Sequence, residues 1–182
     1  MQGPAGLRER LQSIDEALTA PLTLPPRRSA AQLVALGLAH SGDSFVWAGL
    51  LAAAWFLGDE RWKARALVAF AGLVLAEIVV IAIKMLFRRG RPPGKEGKIY
   101  RKVDPYSFPS GHAARATMLS LLALQLGPLA AFVAILCWSP FMILSRVAIG
   151  IHYVFDVIAG ILLGGALTGI LLALAPALAA LL

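Results

Sequence analysis

The chain has 182 residues, 59% of them apolar and 15% charged, where soluble globular domains carry roughly 45–50% and about 25%. A water-soluble domain of this length could not cover so much apolar surface, disorder is excluded by the same figures, and the single cysteine, Cys137, excludes an intramolecular disulfide. The formal net charge is +7, so the few charges are concentrated, and where they sit carries the functional information.

Leu7, Leu11, Ile14 and Leu18 recur at helical spacing with Arg8, Glu9, Arg10, Asp15 and Glu16 between them. This pattern predicts an amphipathic helix lying in the membrane interface; charges interrupt the stretch where a signal peptide would place its apolar run. Pro21, Pro25 and Pro26 break the chain, and Arg27 and Arg28 lead into a weakly amphipathic stretch ending at His40, a residue expected to be interfacial. Ser41-Gly42-Asp43-Ser44 reads as a turn in which Ser or Asp caps the next helix. Charge-poor runs then follow one another, and a helix needs about 20 apolar residues to cross hydrocarbon. Five spans are predicted, at roughly 43–58, 64–86, 111–126, 128–146 and 153–175. Glu77, inside the second, should face the bundle interior and find a partner. The third is short unless its start sits at the headgroups. Residues 88–108 form a long polar insert in which Pro92-Pro93-Gly94 and Lys95-Glu96-Gly97-Lys98 argue against helix; long connections in compact proteins tend to be functional or mobile. Gly160-x3-Gly164 and Gly165-x3-Gly169 give the last span a small face for close packing. The expected fold is all-α: an N-terminal interfacial segment, 1–40, and a polytopic membrane helix bundle, 41–182.

With five spans, the N-terminus, the polar insert and the segment around Arg146 share one membrane face. Of the 17 basic residues, Arg61, Lys63 and Arg65 fall on the opposite face and all the others on this one. A positive-inside reading places the rich face in the cytoplasm. Topology and anionic lipid explain the peripheral cations, but not Lys84 and Arg115, which lie within helix ends.

Three clusters fall at span ends on the basic face. Lys84, Arg88 and Arg91 close the second span at i, i+4 and i+7, and Pro92 places Arg91 at the turn. Pro109-Ser110-Gly111-His112 opens the third span, where free backbone N–H groups bind anions. There Gly111 permits close approach, and Ser110 can cap the helix or donate to an oxygen. Ser145-Arg146 and His152 lead to Asp156, and a carboxylate four residues from a histidine can fix its tautomer. Each cluster alone has a structural explanation. Together they supply the cations, amides, nucleophile and acid that phosphoryl transfer needs.

The same residues, Lys84-x6-Arg91-Pro92, Pro109-Ser110-Gly111-His112 and Ser145-Arg146-x5-His152-x3-Asp156, resemble the tripartite signature of the type-2 phosphatidic acid phosphatase family. The resemblance implies a metal-independent membrane phosphatase, with no cofactor, that acts on a lipid phosphate or diphosphate. It further implies that Lys84, Arg91 and Arg146 hold the phosphate oxygens with Ser110 and Gly111. His152 would be the nucleophile that forms a phosphohistidine, Asp156 would orient it, and His112 would protonate the leaving group and then activate water. Arg88 and Arg89, outside the signature, are possible headgroup contacts, and Tyr100, Tyr106 and Phe108 are candidates for the entrance or for interfacial anchoring. Substrates implied by the resemblance are phosphatidic acid, phosphatidylglycerophosphate, undecaprenyl diphosphate and a prenyl-phosphoryl sugar phosphate. A vanadate-dependent haloperoxidase shares the signature but is soluble, and a silent lipid-binding or transport protein would not need His112, His152 and Asp156 together. The expected location is the cell membrane, multi-pass. The family's outward-facing orientation is preferred over the basic-residue count, so the site is expected at the membrane interface on the extracytoplasmic side; no nucleic-acid partner is expected, and monomer and homodimer are both open.

Overall fold

Local chemistry sets most of the helix boundaries in the structure, a computed structural model that describes residues 4–25, 29–93, 100, 102 and 104–179. Arg27, Arg28, Lys95, Lys98 and Arg101, with most of the Pro/Gly/Lys stretch of the polar insert, lie outside the described residues. Among the described residues, seven α-helices run in order: α1 (Pro4–Thr19), α2 (Ala30–Ser41), α3 (Ser44–Leu57), α4 (Glu60–Phe87), α5 (Gly111–Leu126), α6 (Leu129–Ala148) and α7 (Val154–Ala179). Ser29 caps α2 by accepting from the Gln32 N–H at 3.2 Å, Asp59 caps α4 through Trp62 at 2.9 Å, and Ser110 caps α5 through Ala113 at 3.4 Å. The chain leaves α4 through Arg88 in the left-handed region (φ 47°), and Gly150 (φ 71°) makes the turn between α6 and α7. Among the described residues there is no strand, only an isolated antiparallel bridge between Gly90 and Tyr106.

Each of the five expected spans corresponds to a helix. Three of them, α4, α6 and α7, are long and apolar enough to cross a membrane. At about 1.5 Å per residue, α3 and α5 fall short of the ~30 Å hydrocarbon layer. For α5 the reason is its position: it packs against α4, α6 and α7, with Gly111, Ala113, Ala114, Ala116, Met118 and Leu122 all buried. A helix sheathed by its neighbours needs neither full length nor a continuous apolar surface.

The bundle places its large apolar side chains outside. On α4, Leu67, Phe70, Val74, Ile78, Ile81 and Met85 form an exposed stripe at helical spacing, a surface suited to lipid. Small residues make the interior. A Cβ at Gly160 would run into the Ser110 carbonyl and lie 2.9 Å from the Ala113 Cβ, and one at Gly164 would collide with the Ala114 carbonyl. These two glycines therefore set the closeness of α7 to α5. Gly165 and Gly169 would meet nothing within 4 Å, so the second glycine pair takes no part in that contact.

Candidate active site

The three signature segments are tied to one another largely through backbone atoms. Arg91 donates from Nη1 to the Ile151 carbonyl at 2.9 Å and from Nε to the Asp104 carbonyl at 2.8 Å. The Ser110 N–H donates to the Asp156 carbonyl at 2.9 Å, and the His152 N–H to the Arg146 carbonyl at 3.3 Å. The C-terminal end of α4, the start of α5 and the α6–α7 turn are thereby fixed on one end of the bundle.

Between them lies a cavity of about 440 Å³ whose wall includes Lys84, Arg91, Arg115 and Arg146, both His112 and His152, and Gly111. Arg146 is 1% exposed, Arg91 4% and Lys84 8%. Cations gathered in a low-dielectric wall make a strong site for an anion. Carboxylates offset part of the charge: Asp104 pairs with Lys84 and, at 2.7 Å, with Arg91, while Glu77 pairs with Arg115. Glu77 thus finds the interior partner expected of it. Arg146 donates to the Ala39 carbonyl at 3.2 Å, and Tyr100 lies under both Arg91 and Arg146, 5.4 and 5.1 Å from its ring. Among the described residues, Arg115 Nε and Arg146 Nε are buried without a hydrogen-bond partner, as donors reserved for an oxyanion would be.

Each histidine has its own carboxylate. His152 Nδ1 is 3.5 Å from Asp156 Oδ2, close enough for an ion pair but without a formed hydrogen bond. Asp156 Oδ2 also accepts from the Tyr153 N–H at 2.9 Å. The other ring nitrogen, Nε2, is 3.4 Å from Arg91 Nη1. Burial is the main cause that pushes the His152 imidazole down to about 4, with Arg91 and Arg146 adding to it against the pull of Asp156. The ring is therefore neutral at pH 7. His112 is held at 2.8 Å from Nε2 to Asp43 and at 3.2 Å from Nδ1 to Arg115. A guanidinium can only donate, so Nδ1 accepts and Nε2 carries the proton.

Several expectations are corrected by this geometry. Asp43 occupies the N-cap position of α3, but its side chain makes no capping bond. It accepts from His112 and, at 2.9 Å, from His40 Nδ1. Burial acts to raise the Asp43 carboxyl, but the hydrogen bonds from His112 and His40 outweigh it and hold it at about 2. His40, expected only at the interface, is part of the cavity wall. Of its two expected roles, Ser110 takes the cap, and its side chain is fully buried. Arg88 is exposed and folds back onto the Met85 carbonyl at 3.0 Å. Arg89, offered as a possible headgroup contact, is ion-paired with Asp15 and Asp156, both at 2.8 Å. Tyr100 lines the cavity, Tyr106 lines a neighbouring one, and Phe108 packs on Phe87 with ring centres 5.1 Å apart. Asp43, Asp104 and Asp15 are the residues that sequence reasoning missed as site partners. The one available signal concerned Asp43 alone: the cost of a carboxylate at the edge of an apolar span.

Buried cations, guanidinium donors without partners among the described residues and two histidines at one end of an apolar bundle make an arrangement able to hold a phosphoryl group. The family description "PAP2 superfamily" matches residues 64–179. The decaprenylphosphoryl-5-phosphoribose phosphatase of Mycobacterium tuberculosis is 36% identical over 133 residues, 71% of this chain and 72% of that protein. Its counterpart in Mycolicibacterium smegmatis is 33% identical over 127 residues, 69% of each. Among solved structures, the transmembrane PAP2-type phosphatidylglycerolphosphate phosphatase of Bacillus subtilis superposes with a TM-score of 0.71 at 22% identity, over 92% of this chain and 87% of that one. Aquifex aeolicus LpxE gives 0.67 at 19% identity, over 89% and 94%. The chain belongs to the PAP2 superfamily. It is a membrane lipid phosphatase.

Proposed function

We propose that this phosphatase removes the terminal phosphate of a polyprenyl-phosphoryl sugar phosphate through a phosphohistidine on His152. The observation that carries the mechanism is the cavity itself: two histidines, each beside its own carboxylate, facing a space walled by four buried cations. The His152 Nε2 lone pair attacks phosphorus; an N–P bond forms as the bond from phosphorus to the leaving oxygen breaks. Asp156 stabilises the positive charge that develops on the ring. His112 takes up a second proton as the anionic phosphate enters and Arg115 turns from Nδ1 to it, gives its Nε2 proton to the leaving oxygen to become neutral again, and then takes a proton from the water that cleaves the N–P bond. Lys84, Arg91 and Arg146 hold the non-bridging oxygens throughout, with the Gly111 N–H at the start of α5. For the phosphate to enter, Asp104 must yield Lys84 and Arg91, and its carboxylate is the group that occupies them here.

The substrate class rests on the mycobacterial relatives and on the shape of the site. Beside the cavity lies a second one of about 390 Å³ that shares Glu77, Lys84 and Asp104 and reaches Ile81 and Met85, which are exposed on the outer stripe of α4. A prenyl chain can remain in lipid along this side while its phosphorylated end enters. We place the site on the extracytoplasmic face of the cell membrane. The basic-residue count weighs the other way, but Arg89 and Arg115 are ion-paired within the site and Lys84, Arg91 and Arg146 serve phosphate, so part of that excess reflects chemistry rather than topology. In a Cys137→Ser, Lys102→Cys background, labelling of intact cells by an impermeant maleimide is the expected result, and protection until lysis reverses the orientation.

The function is tested by phosphate release from purified protein in detergent, with four substrates: phosphatidic acid, phosphatidylglycerophosphate, undecaprenyl diphosphate and a prenyl-phosphoryl pentose 5-phosphate. The last should show the highest kcat/KM. Equal turnover by His152→Ala and the parent ends the nucleophile assignment, and preference for another lipid ends the substrate assignment alone.

A further inference from the structure

The mechanism above makes no use of α1, yet this helix is docked in an unusual way. Leu7, Leu11, Ile14 and Leu18 are 47–60% exposed, while Asp15 is 0% and Thr19 4% exposed. The leucines face outward and a carboxylate is buried, so the hydrophobic effect is not what seats this helix on the bundle. A buried carboxylate is tolerated only with partners, and those of Asp15 lead into the site. Its Oδ1 accepts from the Phe155 N–H at 2.9 Å, and Thr19 Oγ1 accepts from the Val154 N–H at 3.1 Å. Both N–H groups belong to the first turn of α7, which carries Asp156. The second oxygen, Oδ2, is 2.8 Å from Arg89 Nη2, and Arg89 Nη1 donates to Asp156 Oδ1 at 2.8 Å. The Arg89 guanidinium lies 4.2 Å over the Tyr153 ring. Carboxylate, guanidinium, carboxylate and imidazole thus run in series from α1 to His152.

We infer that Asp15 is a positioning residue of the hydrolysis, acting through Arg89 to orient Asp156 and to leave its negative charge available to His152. The inference rests on His152 being the nucleophile. The groups facing the His152–Asp156 pair are Arg91 from the segment after α4, Arg146 from α6, Arg89 with Asp15 behind it, and Tyr153, with Asp104 on Arg91. Three guanidiniums thus face one histidine–carboxylate pair. If Arg89 were paired with Asp156 alone, it would cancel the charge that must stabilise the phosphoimidazolium. Shared with Asp15, it leaves that cluster with one net negative charge. Asp15 and Thr19 lie outside residues 64–179, the region matched by the family, so this device is built from chain beyond the family's core.

The test uses the full chain in phosphatidylcholine–phosphatidylglycerol vesicles, with phosphatidic acid as the probe substrate and kcat, KM and the acid limb of log kcat against pH as readouts. Asp15→Asn should lower kcat about tenfold or more with KM changed little, as losses of positioning partners do. It should also move the acid limb to lower pH, because a negative charge near the imidazole is gone. Arg89→Gln should move the limb the opposite way, and Asp15→Glu should recover most of the parent kcat. Thr19→Val removes only an α7 cap, so it should lower thermal stability and leave the limb in place. An Asp15→Asn enzyme with the parent's kcat, or with an unmoved limb, overturns the inference. If Asp15→Asn does not fold, Arg89→Gln decides alone, and an unmoved limb again overturns it. His152→Ala in the same series separates the two readings: if it still turns over, the nucleophile assignment fails; if it is inactive while Asp15→Asn matches the parent, only the role of Asp15 fails.

Discussion

The two histidine–carboxylate pairs face the same cavity but are built differently. His152 and Asp156 sit four residues apart in one continuous segment, both almost wholly buried. His112 and Asp43 are 69 residues apart, and they meet only because the N-terminal end of α3 docks beside the first turn of α5. Their electrostatics differ as well. Burial keeps the first imidazole neutral, as a nucleophile must be, with its carboxylate backed by Arg89. The second ring is fixed between an acceptor, Asp43, and a donor, Arg115, which defines where its proton resides. One pair suits attack on phosphorus and the other suits proton delivery, so the division of labour follows from what surrounds each ring.

The sharpest way to break this comparison is to remove each imidazole and vary the leaving group. His152→Ala should lose about 10³-fold or more in kcat with any substrate, because no N–P bond can form. His112→Ala should lose about 10²–10⁴-fold with an alkyl phosphate, but much less with p-nitrophenyl phosphate, whose leaving group needs no proton. Initial rates of phosphate release with the two substrates measure this; equal losses for both variants with both substrates would erase the distinction. The carboxylates should follow in the same order. Asp156→Asn should cost on the order of 10²–10⁴ by analogy with the orienting aspartate of a serine triad, and Asp43→Asn about tenfold, since Arg115 still restrains the His112 ring.

Acid stability sharpens the comparison further, with smaller effects. The His152 imidazole has a pKa of about 4 in the folded chain against an ordinary 6.5. Between those values the unfolded chain binds more protons, so stability rises with pH through this window and falls on acidification. The Asp43 carboxyl is at about 2 against an ordinary 3.8; its contribution is complete above the ordinary value and disappears as pH falls toward the folded one. Thermal unfolding followed by circular dichroism should therefore lose its slope in the upper window in His152→Ala, and its slope in the lower window in Asp43→Asn.

This contrast also explains how much was legible in the sequence. The spans follow from uninterrupted hydropathy, and His152 with Asp156 follows from spacing, because both depend on neighbouring residues. Lys84, Arg91, Gly111, His112 and Arg146 were readable as the ends of spans on one face, and the structure brings them together at one cavity. What could not be read depends on docking. Asp43 looks like an ordinary cap in sequence and becomes a histidine partner only through α5. Asp15 sits among other charges of an amphipathic helix, and nothing local distinguishes it from Glu16 until α7 and Arg89 are in place. Asp104 lies in a polar insert, where one carboxylate resembles any other. The pairing of Arg89 is hidden for the same reason: an arginine at a membrane surface suggests a headgroup, and its two buried carboxylate partners come from distant helices.

The smallest expected effect probes the docking of the His112 pair alone. Gly42 lies in the turn just before Asp43, and a Cβ there would sit 2.6 Å from Met142 Sδ and 3.0 Å from His112 Cδ2. The methionine tip is flexible and can move aside. The imidazole has less room, because Asp43 and Arg115 hold it from both nitrogens. Gly42→Ala should therefore displace the His112 ring by a few tenths of an ångström and leave His152 where it is. A misplacement of about 1 Å can cost about 10²-fold, so a shift of this size should cost only a few-fold. The loss should appear with alkyl phosphates and largely vanish with p-nitrophenyl phosphate, matching His112→Ala in kind and not in size. A Gly42→Ala enzyme equally impaired on both substrates would mean that the turn positions more than the proton donor, and the two halves of the site would no longer be separable.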